Sequence, residues 1–261
     1  AGVHSFSHIR NMTNLTWWQA HRQAWTWLRG PLRRWFWPAS AVAVALSVLG
    51  WWGISWIATD VSNRVVDAIG VERGAGWVQS LTQGAVSLVL LVVKLKLTKH
   101  LVLVCMGPIL AMVSEAAEVR LIGRELPFSW RRAWKDAWRG LRSALLLAVF
   151  EWGVLLGCWL ATLALPVMAP VWVMLTWVFG VWVYGASMLD YVWEREALGG
   201  RDGFRKSLRA WKTALGVGLP FWAWMSLPVL AWTVGPVFGG LTGAVSAVLM
   251  TRSHESHLAT T

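Results

Sequence analysis

The sequence predicts an all-α integral membrane protein, and three observations support this. Of its 261 residues, 56% are hydrophobic and only 14% are charged, and the mean hydropathy of +0.50 exceeds that of a soluble domain. No charged residue occurs between Trp35 and Ala58, and Glu151 is the only one between Ala144 and Leu189. Runs of about 20 apolar residues are long enough to cross a hydrocarbon core of about 30 Å.

The apolar runs divide the chain into helical units within one membrane domain, 1–261. They lie at 35–58, 77–93 continuing into 101–113, 144–165, 167–189 and 214–250. We therefore expect four parts in order: a cytoplasmic interfacial segment 1–34, a first helix pair 35–113, an amphipathic helix and hairpin 128–189, and a second such unit 203–250. The first residues lack the charged-then-apolar pattern of a cleavable signal peptide, so none is expected.

The basic residues predict the orientation of the chain. The net charge is +11, and 1–34 carries five arginines and no acidic residue, while 94–100 carries three lysines. Only 59–76 has a slight acidic excess, which places it outside and both termini in the cytoplasm. Basic residues that flank apolar runs, together with 23 tryptophans, favour contact with anionic lipid headgroups over nucleic acid. The expected location is the inner (cytoplasmic) membrane, with several passes.

The later apolar pairs are predicted to be helical hairpins. Their turns, "ALPVMAPVW" at 164–172 and "WTVGPVFGG" at 232–240, carry proline and no charge. The final half, 237–250, has only 14 residues, which suits a hairpin that penetrates the membrane partway. Its glycines at 239, 240 and 243 would let neighbouring helices approach closely.

Basic amphipathic helices are predicted before the apolar pairs. In 128–146 the residues Trp130, Trp134, Ala137 and Leu141 share one helical face, and arginines and lysine occupy the rest. The segment 203–216 repeats the pattern, and 14–30 repeats it less regularly. Such helices are suited to lie in the membrane interface.

Enzymatic chemistry is not indicated. There is no phosphate-binding Gly-Lys-Ser/Thr loop, no serine–histidine–aspartate arrangement, and no histidine pair at metal spacing beside a carboxylate. Cys105 and Cys158 both lie in apolar runs, so buried free thiols are expected. We expect no enzyme activity, no metal and no cofactor.

Several charges occupy unfavourable positions. Glu151 lies within an apolar run, where a charged side chain costs several kcal/mol, so it either serves transport or proton relay or is a neutral buried acid. Lys94 and Lys96 are expected to extend toward the cytoplasmic surface. Glu115 and Glu118 are expected to form a local ion network with Arg120.

Arg33 and Arg34, in "GPLRRWFWP", are candidates for anion binding as well as for topology. Pro31 suits a first helical turn, where its missing N–H is no loss. Free N–H groups at a helix start and two guanidinium groups would then converge, which suits a tetrahedral oxyanion. The simpler alternative is a positive anchor at the cytoplasmic end of a membrane helix.

Three stretches resemble the CysZ-type sulfate permeases, which are related to the etoposide-induced protein 2.4 membrane family. They are "RGPLRRWFWP", "GPILAMVSEAAEVRLIG" at 107–123, and "MLDYVWEREALGGRDGFRKSLRAWKTALGVG" at 188–218. The first is similar to an Arg-Arg-aromatic start of the first membrane helix, and the others to a Glu-rich stretch and to Asp-Tyr before a basic helix. Together they span about 17–252. The chain differs in its tryptophan content, in Lys94 and Lys96, and in lacking a proline after Asp190-Tyr191.

The resemblance implies a fold and a site. The fold would have two transmembrane helices plus two partly or fully penetrating hairpins, assembled as an oligomer. The anion would bind at Arg33 and Arg34, with Gly30 and Leu32 as neighbouring backbone. Glu151, Glu115 and Asp190 are further candidates for a coupling or structural role.

Two hypotheses for function follow. The first is an inner-membrane permease for sulfate or a related oxyanion, with a small inorganic anion and membrane lipids as ligands and a homo-oligomeric assembly. The second is a non-transporting structural or accessory subunit packed in a larger membrane protein complex, since family resemblance alone does not determine function. A third, weaker hypothesis is a membrane-organising or stress-related role.

Overall fold

The computed structural model describes residues 15–69, 76–123, 130–196, 198, 200–227 and 234–258. Within these ranges the chain is almost entirely helical and contains no strand, which confirms the all-α prediction. The helices are α1 Trp17–Arg29, α2 Phe36–Ile69, α3 Gly76–Ile122, α4 Trp130–Ala164, α5 Ala169–Arg195, α6 Gly200–Arg209, α7 Trp211–Ser226 and α8 Gly235–Leu258. Two 3₁₀ turns, Arg33–Trp35 and Pro166–Met168, connect α1 to α2 and α4 to α5.

Helix α8 lies at the centre of the bundle. It packs against α1, α2, α3, α5 and α7, and every residue in 239–251 is buried. Helix α8 has 24 residues and so extends beyond the 14-residue apolar half, 237–250, on which the prediction of a partly penetrating hairpin rests. The helix continues into a polar end because its backbone hydrogen bonds do not require apolar side chains, and because Arg252 has partners there (below).

The prediction that glycines of α8 allow close helix approach is confirmed. A methyl group at Gly239 would lie 2.5 Å from Phe221 of α7, and one at Gly240 would lie 3.2 Å from Leu110 of α3. One at Gly243 would lie 3.1 Å from Met188 of α5. These three glycines of α8 therefore each face a different neighbouring helix.

Helices α5 and α7 approach each other more closely still. A Cβ at Gly185 would lie 1.7 Å from the carbonyl oxygen of Ala214, and one at Gly218 would lie 2.0 Å from that of Val181. The obstructing atoms belong to the backbone and cannot turn aside. The crossing of α5 and α7 consequently requires the hydrogen-only side chain of glycine at both positions.

Helices α4 and α5 contain the two candidate membrane spans among the described residues. The ranges Arg142–Ala164 and Pro166–Arg195 are each long and apolar enough to cross a membrane, and they pack against each other. In the most apolar stretch of each range, only 11% and 28% respectively is buried within the protein. Val167, between the two ranges, is 91% exposed. So much exposed apolar surface is unfavourable in water and indicates a membrane protein. From Trp130 onward, the predicted amphipathic run and the apolar run after it are one helix, α4.

The first helix pair consists of α2 and α3. The charged stretch 94–100 lies inside α3, so the apolar runs 77–93 and 101–113 belong to one helix. The side chains of Lys94 and Lys96 lie outside the described residues. At 47 residues α3 is about 70 Å long, more than twice the thickness of a hydrocarbon core and longer than a single crossing requires. Its last turns enter the core through Met106, Leu110 and Val113.

Of the other two predicted amphipathic segments, one is interrupted. The segment 203–216 is divided at Ala210 between α6 and α7. The segment 14–30 corresponds to α1, which begins at a capping box formed by Thr16 and Gln19 and buries Ala24 and Leu28 against the bundle. The predicted acidic loop 59–76 belongs to α2 as far as Ile69 and then lies outside the described residues up to 75.

We predict that Gly218→Ala lowers the free energy of unfolding by about 1–3 kcal/mol, because the added methyl group meets the backbone of α5. Thermal unfolding of the detergent-purified protein measures the effect. Gly157→Ala in α4 is the matched control, since no atom lies within 4 Å of its added methyl group and alanine favours the helix. Equal midpoints for the two variants would contradict the close crossing.

Candidate functional site

Arg33 and Arg34 lie in a tight turn, residues 30–35, between α1 and α2. We call this segment the arginine turn. The N–H of Gly30 donates to the carbonyl oxygens of Thr26 and Trp27, and the N–H of Leu32 donates to that of Trp27 at 2.9 Å. The side chain of Leu32 is only 4% exposed and is part of the core. Gly30 and Leu32 therefore hold the turn in place, as backbone and as an apolar anchor.

The expectation about Pro31 and a helix start was wrong. Pro31 lies in a turn before the 3₁₀ segment, and α2 begins at Phe36. The N–H of Arg33 donates to Gly30, that of Trp35 to Leu32, and that of Phe36 to Arg33. Because the turn itself uses these amides, recognition of an anion here would depend on side chains.

The side chains of Arg33 and Arg34 are both exposed to solvent. The guanidinium carbon of Arg34 lies 5.4 Å from the centre of the Trp35 ring, within the range of a cation–π interaction. Neither arginine forms an ion pair with any residue that the structure describes. Nε1 of Trp35 is a buried donor that has no hydrogen-bond partner within the described ranges.

Two more arginines lie close to this turn. Arg29, in the last turn of α1, places its guanidinium carbon 4.8 Å from the centre of the Trp25 ring. The guanidinium carbon of Arg120 of α3 lies 5.8 Å from the centre of the Trp27 ring. The carbonyl oxygen of Trp27 accepts the N–H groups of Gly30 and Leu32. The end of α1 is therefore a positively charged surface supported by tryptophans.

An aromatic cluster fixes the turn against the bundle. Phe238 of α8 lies 5.4 Å from Trp25 of α1 and 5.3 Å from Phe36 of α2, measured between ring centres. Trp224 of α7 stacks on the same Phe238 at 6.1 Å. Helices on both sides of the arginine turn thus contact one residue of the central helix.

The expected ion network of Glu115, Glu118 and Arg120 is corrected. Glu118 instead bonds Arg195 of α5 and Arg252 of α8, with 2.7 Å between Glu118 Oε1 and Arg252 Nη2. Residues two apart on a helix diverge by about 200°, so Glu118 and Arg120 face different neighbours. Glu115 contributes an electrostatic attraction to Arg195.

The network extends beyond α3. Arg252 also bonds Glu196 at 3.1 Å, and Glu196 in turn pairs with Lys206 of α6. Arg195 donates to Oγ of Ser114 at 3.0 Å. Sequence reasoning missed Arg252 and Lys206 as partners, because pairs so distant along the chain leave no local signal.

Glu151 and Asp190 lie elsewhere in the bundle. Glu151 of α4 is 5% exposed and interacts electrostatically with Tyr184 of α5. Asp190 of α5 is half-buried, and its Oδ1 lies 3.3 Å from the position of a Cβ at Gly203 in α6. The described contacts of both residues join neighbouring helices and do not include the arginine turn. No group of three or more described His, Cys, Asp or Glu side chains is placed to hold a metal ion.

His21 is a buried polar residue that sequence reasoning did not single out. It is 7% exposed, and its Nε2 lies 3.2 Å from the carbonyl oxygen of Gly216 in α7 and 3.4 Å from Oγ of Ser246 in α8. The carbonyl can only accept, so we assign the hydrogen to Nε2. Burial lowers the pKa of His21 to about 4, which keeps it neutral at pH 7 while it attaches α1 to the bundle.

Comparison with known families adds a match over most of the chain. The family model described as sulfate transporter CysZ/etoposide-induced protein 2.4 matches residues 17–236. This range includes α1 through α7 and the whole arginine turn. The match confirms the resemblance noted in the sequence. No curated protein matches the chain.

We predict that the stability of the protein falls as the pH drops from about 6.5 to about 4, by roughly 2–3 kcal/mol for His21 alone. The folded pKa lies below the unfolded value of about 6.5, so the unfolded state binds the proton first and is favoured in this window. Thermal midpoints at pH 7 and pH 5 measure the loss. His21→Gln can still donate to Gly216 but cannot titrate, so its midpoint should change less; an equal change would contradict the assignment.

Proposed function

Because the chain belongs to the sulfate transporter CysZ/etoposide-induced protein 2.4 family, we propose that it is an inner-membrane permease for sulfate or a related oxyanion. The observation that carries the proposal is the turn at Arg33 and Arg34. Both guanidinium groups are exposed, and no described acidic residue neutralises them. The proposed role is passage of the anion without chemical change.

The proposed recognition is electrostatic and geometric. A guanidinium group presents planar paired donors that match two oxygens of a tetrahedral oxyanion, and such charge-assisted bonds are about twice as strong as neutral ones. Two adjacent groups can hold a dianion, and Arg29 and Arg120 add positive charge close by. The contact of Arg34 with the Trp35 ring already restricts the Arg34 side chain, so binding an anion would cost less conformational entropy.

The proposed orientation places this turn and both termini at the cytoplasmic surface. Five arginines and no acid in 1–34 fit the rule that short basic segments remain on that side. An oxyanion cannot cross hydrocarbon without compensation for its lost hydration, so transport needs a protein-lined path. The arginine turn would concentrate the anion at one end of that path.

We predict that the double variant Arg33→Ala/Arg34→Ala loses sulfate flux by at least tenfold, because each lost charge-assisted bond is worth about 1.5–3 kcal/mol. Uptake of radiolabelled sulfate into liposomes containing the purified protein measures it. Arg22→Ala, which removes an exposed arginine from the middle of α1, should retain flux. Undiminished uptake by the double variant would exclude this turn as the anion site.

A second candidate function, an accessory subunit in a larger membrane complex, is favoured by one observation. Val44, Val48, Trp52 and Trp56 recur every four residues along α2 and are 62–72% exposed. Such a stripe suits another protein helix as well as lipid. The permease proposal assigns it to a second copy of this chain, whereas the alternative assigns it to a different protein.

We predict that gentle extraction yields a homo-oligomer, and that Trp52→Glu reduces its size by placing a charge in the apolar stripe. Light scattering during size-exclusion chromatography measures the mass of the protein. A stoichiometric second protein that separates from the Trp52→Glu variant would instead favour the accessory role.

A further inference from the structure

A groove of about 510 Å³ lies between α4, α5 and α6, apart from the arginine turn. Its volume lies within the range of about 300–1,000 Å³ over which pockets hold organic ligands. Leu146 of α4 and Leu208 of α6 line it and are 50% and 46% exposed, so the groove is open on one side. Most of its remaining wall is also apolar, including Leu147 and Val149.

Aromatic contacts hold the walls of the groove in place. Phe150 of α4 contacts Phe204 of α6 edge-on, with 5.4 Å between ring centres, and both rings line the groove. Phe204 also contacts Trp182 of α5 at 5.7 Å. The three helices therefore meet through one aromatic cluster, and the apolar walls are formed before any ligand binds.

The groove carries its positive charge on α6. Arg201 and Arg205 line it, are one helical turn apart, and are both exposed. They share a helical face with Phe204 and Leu208, whereas Lys206 turns away to pair with Glu196. Among the described residues of the lining, Asp190 is the single acidic one, and two arginines and one aspartate give these residues a net charge of +1.

The groove lies where the headgroup and hydrocarbon regions of a membrane would meet. Its α4 residues follow directly after Arg142, where one candidate membrane span begins. Its residue Asp190 lies five positions before Arg195, where the other span ends. The apolar walls lie at the start of one span and near the end of the other, and the arginines lie on the adjoining α6. This order matches the acyl chain and the phosphate of a phospholipid.

We propose that this groove binds an anionic glycerophospholipid, with one acyl chain along the apolar walls and the phosphate held by Arg201 and Arg205. A lipid of charge −1 complements the net charge of the lining. A free phosphate would leave the apolar walls uncovered. A zwitterionic lipid brings an added positive charge close to the two arginines. This proposal is independent of sulfate transport.

The test is native mass spectrometry of the full chain in detergent, titrated with phosphatidylglycerol or with phosphatidylcholine that has the same acyl chains. Phosphatidylglycerol should bind at least tenfold more tightly. Arg201→Gln/Arg205→Gln should weaken its binding by about twenty-five-fold, because each basic residue near an anionic lipid contributes about 1 kcal/mol, or roughly fivefold. Arg209→Gln is the matched control, since Arg209 is exposed on α6 and does not line the groove.

A second variant tests the acyl chain rather than the phosphate. Leu146→Trp fills the groove at an exposed position and should weaken binding of both lipids, while glycerol phosphate should not compete. Thermal midpoints close to that of the unsubstituted protein verify that these variants fold. Equal affinity for the two lipids, equal loss in Arg209→Gln, competition by glycerol phosphate, or undiminished binding by Leu146→Trp would each overturn the proposal.

Discussion

Close packing of backbones around one buried helix is the constraint on which the rest of the structure depends. At Gly185 and Gly218, α5 and α7 leave no room for even a methyl group. Helix α8 then packs against both of them and against α1, α2 and α3. Without a strong hydrophobic force between helices in lipid, such contacts provide association through dispersion and closely matched surfaces. The position of the arginine turn depends on this packing, because Phe238 of α8 contacts Trp25 before the turn and Phe36 after it.

The helical class could be predicted from the sequence, but the continuity of the helices could not. Charge-free runs indicate which segments avoid water, and α4 and α5 follow them well. Helix boundaries depend on backbone hydrogen bonds and caps, which continue through lysines in 94–100 and through the polar end of α8. For that reason α3 joins two predicted runs, and α8 is ten residues longer than its apolar part, 24 against the 14 of 237–250.

The candidate site was predictable only in its side chains. Two adjacent arginines before an apolar run are visible in the sequence, and the structure places both on the surface. The prediction of free backbone N–H donors beside them was wrong. Pro31 precedes a 3₁₀ turn in which amide N–H groups donate to carbonyl oxygens of the turn itself. The partners of Glu118 and the burial of His21 depend on helices more than 70 residues away along the chain, at separations of 77 and 195 residues. No local pattern encodes such pairs.

The distribution of acidic residues connects the ion network to the candidate anion site. A carboxylate beside Arg33 or Arg34 would compete with an oxyanion for the same guanidinium donors. Glu118 and Glu196 are instead held between Arg195, Arg252 and Lys206, where partial burial strengthens their attraction. The network therefore joins α3, α5, α6 and α8, and it keeps the carboxylates of Glu118 and Glu196 away from the arginine turn. In a chain with 24 basic and 13 acidic residues, this arrangement leaves the positive charge at the end of α1 available to an external anion.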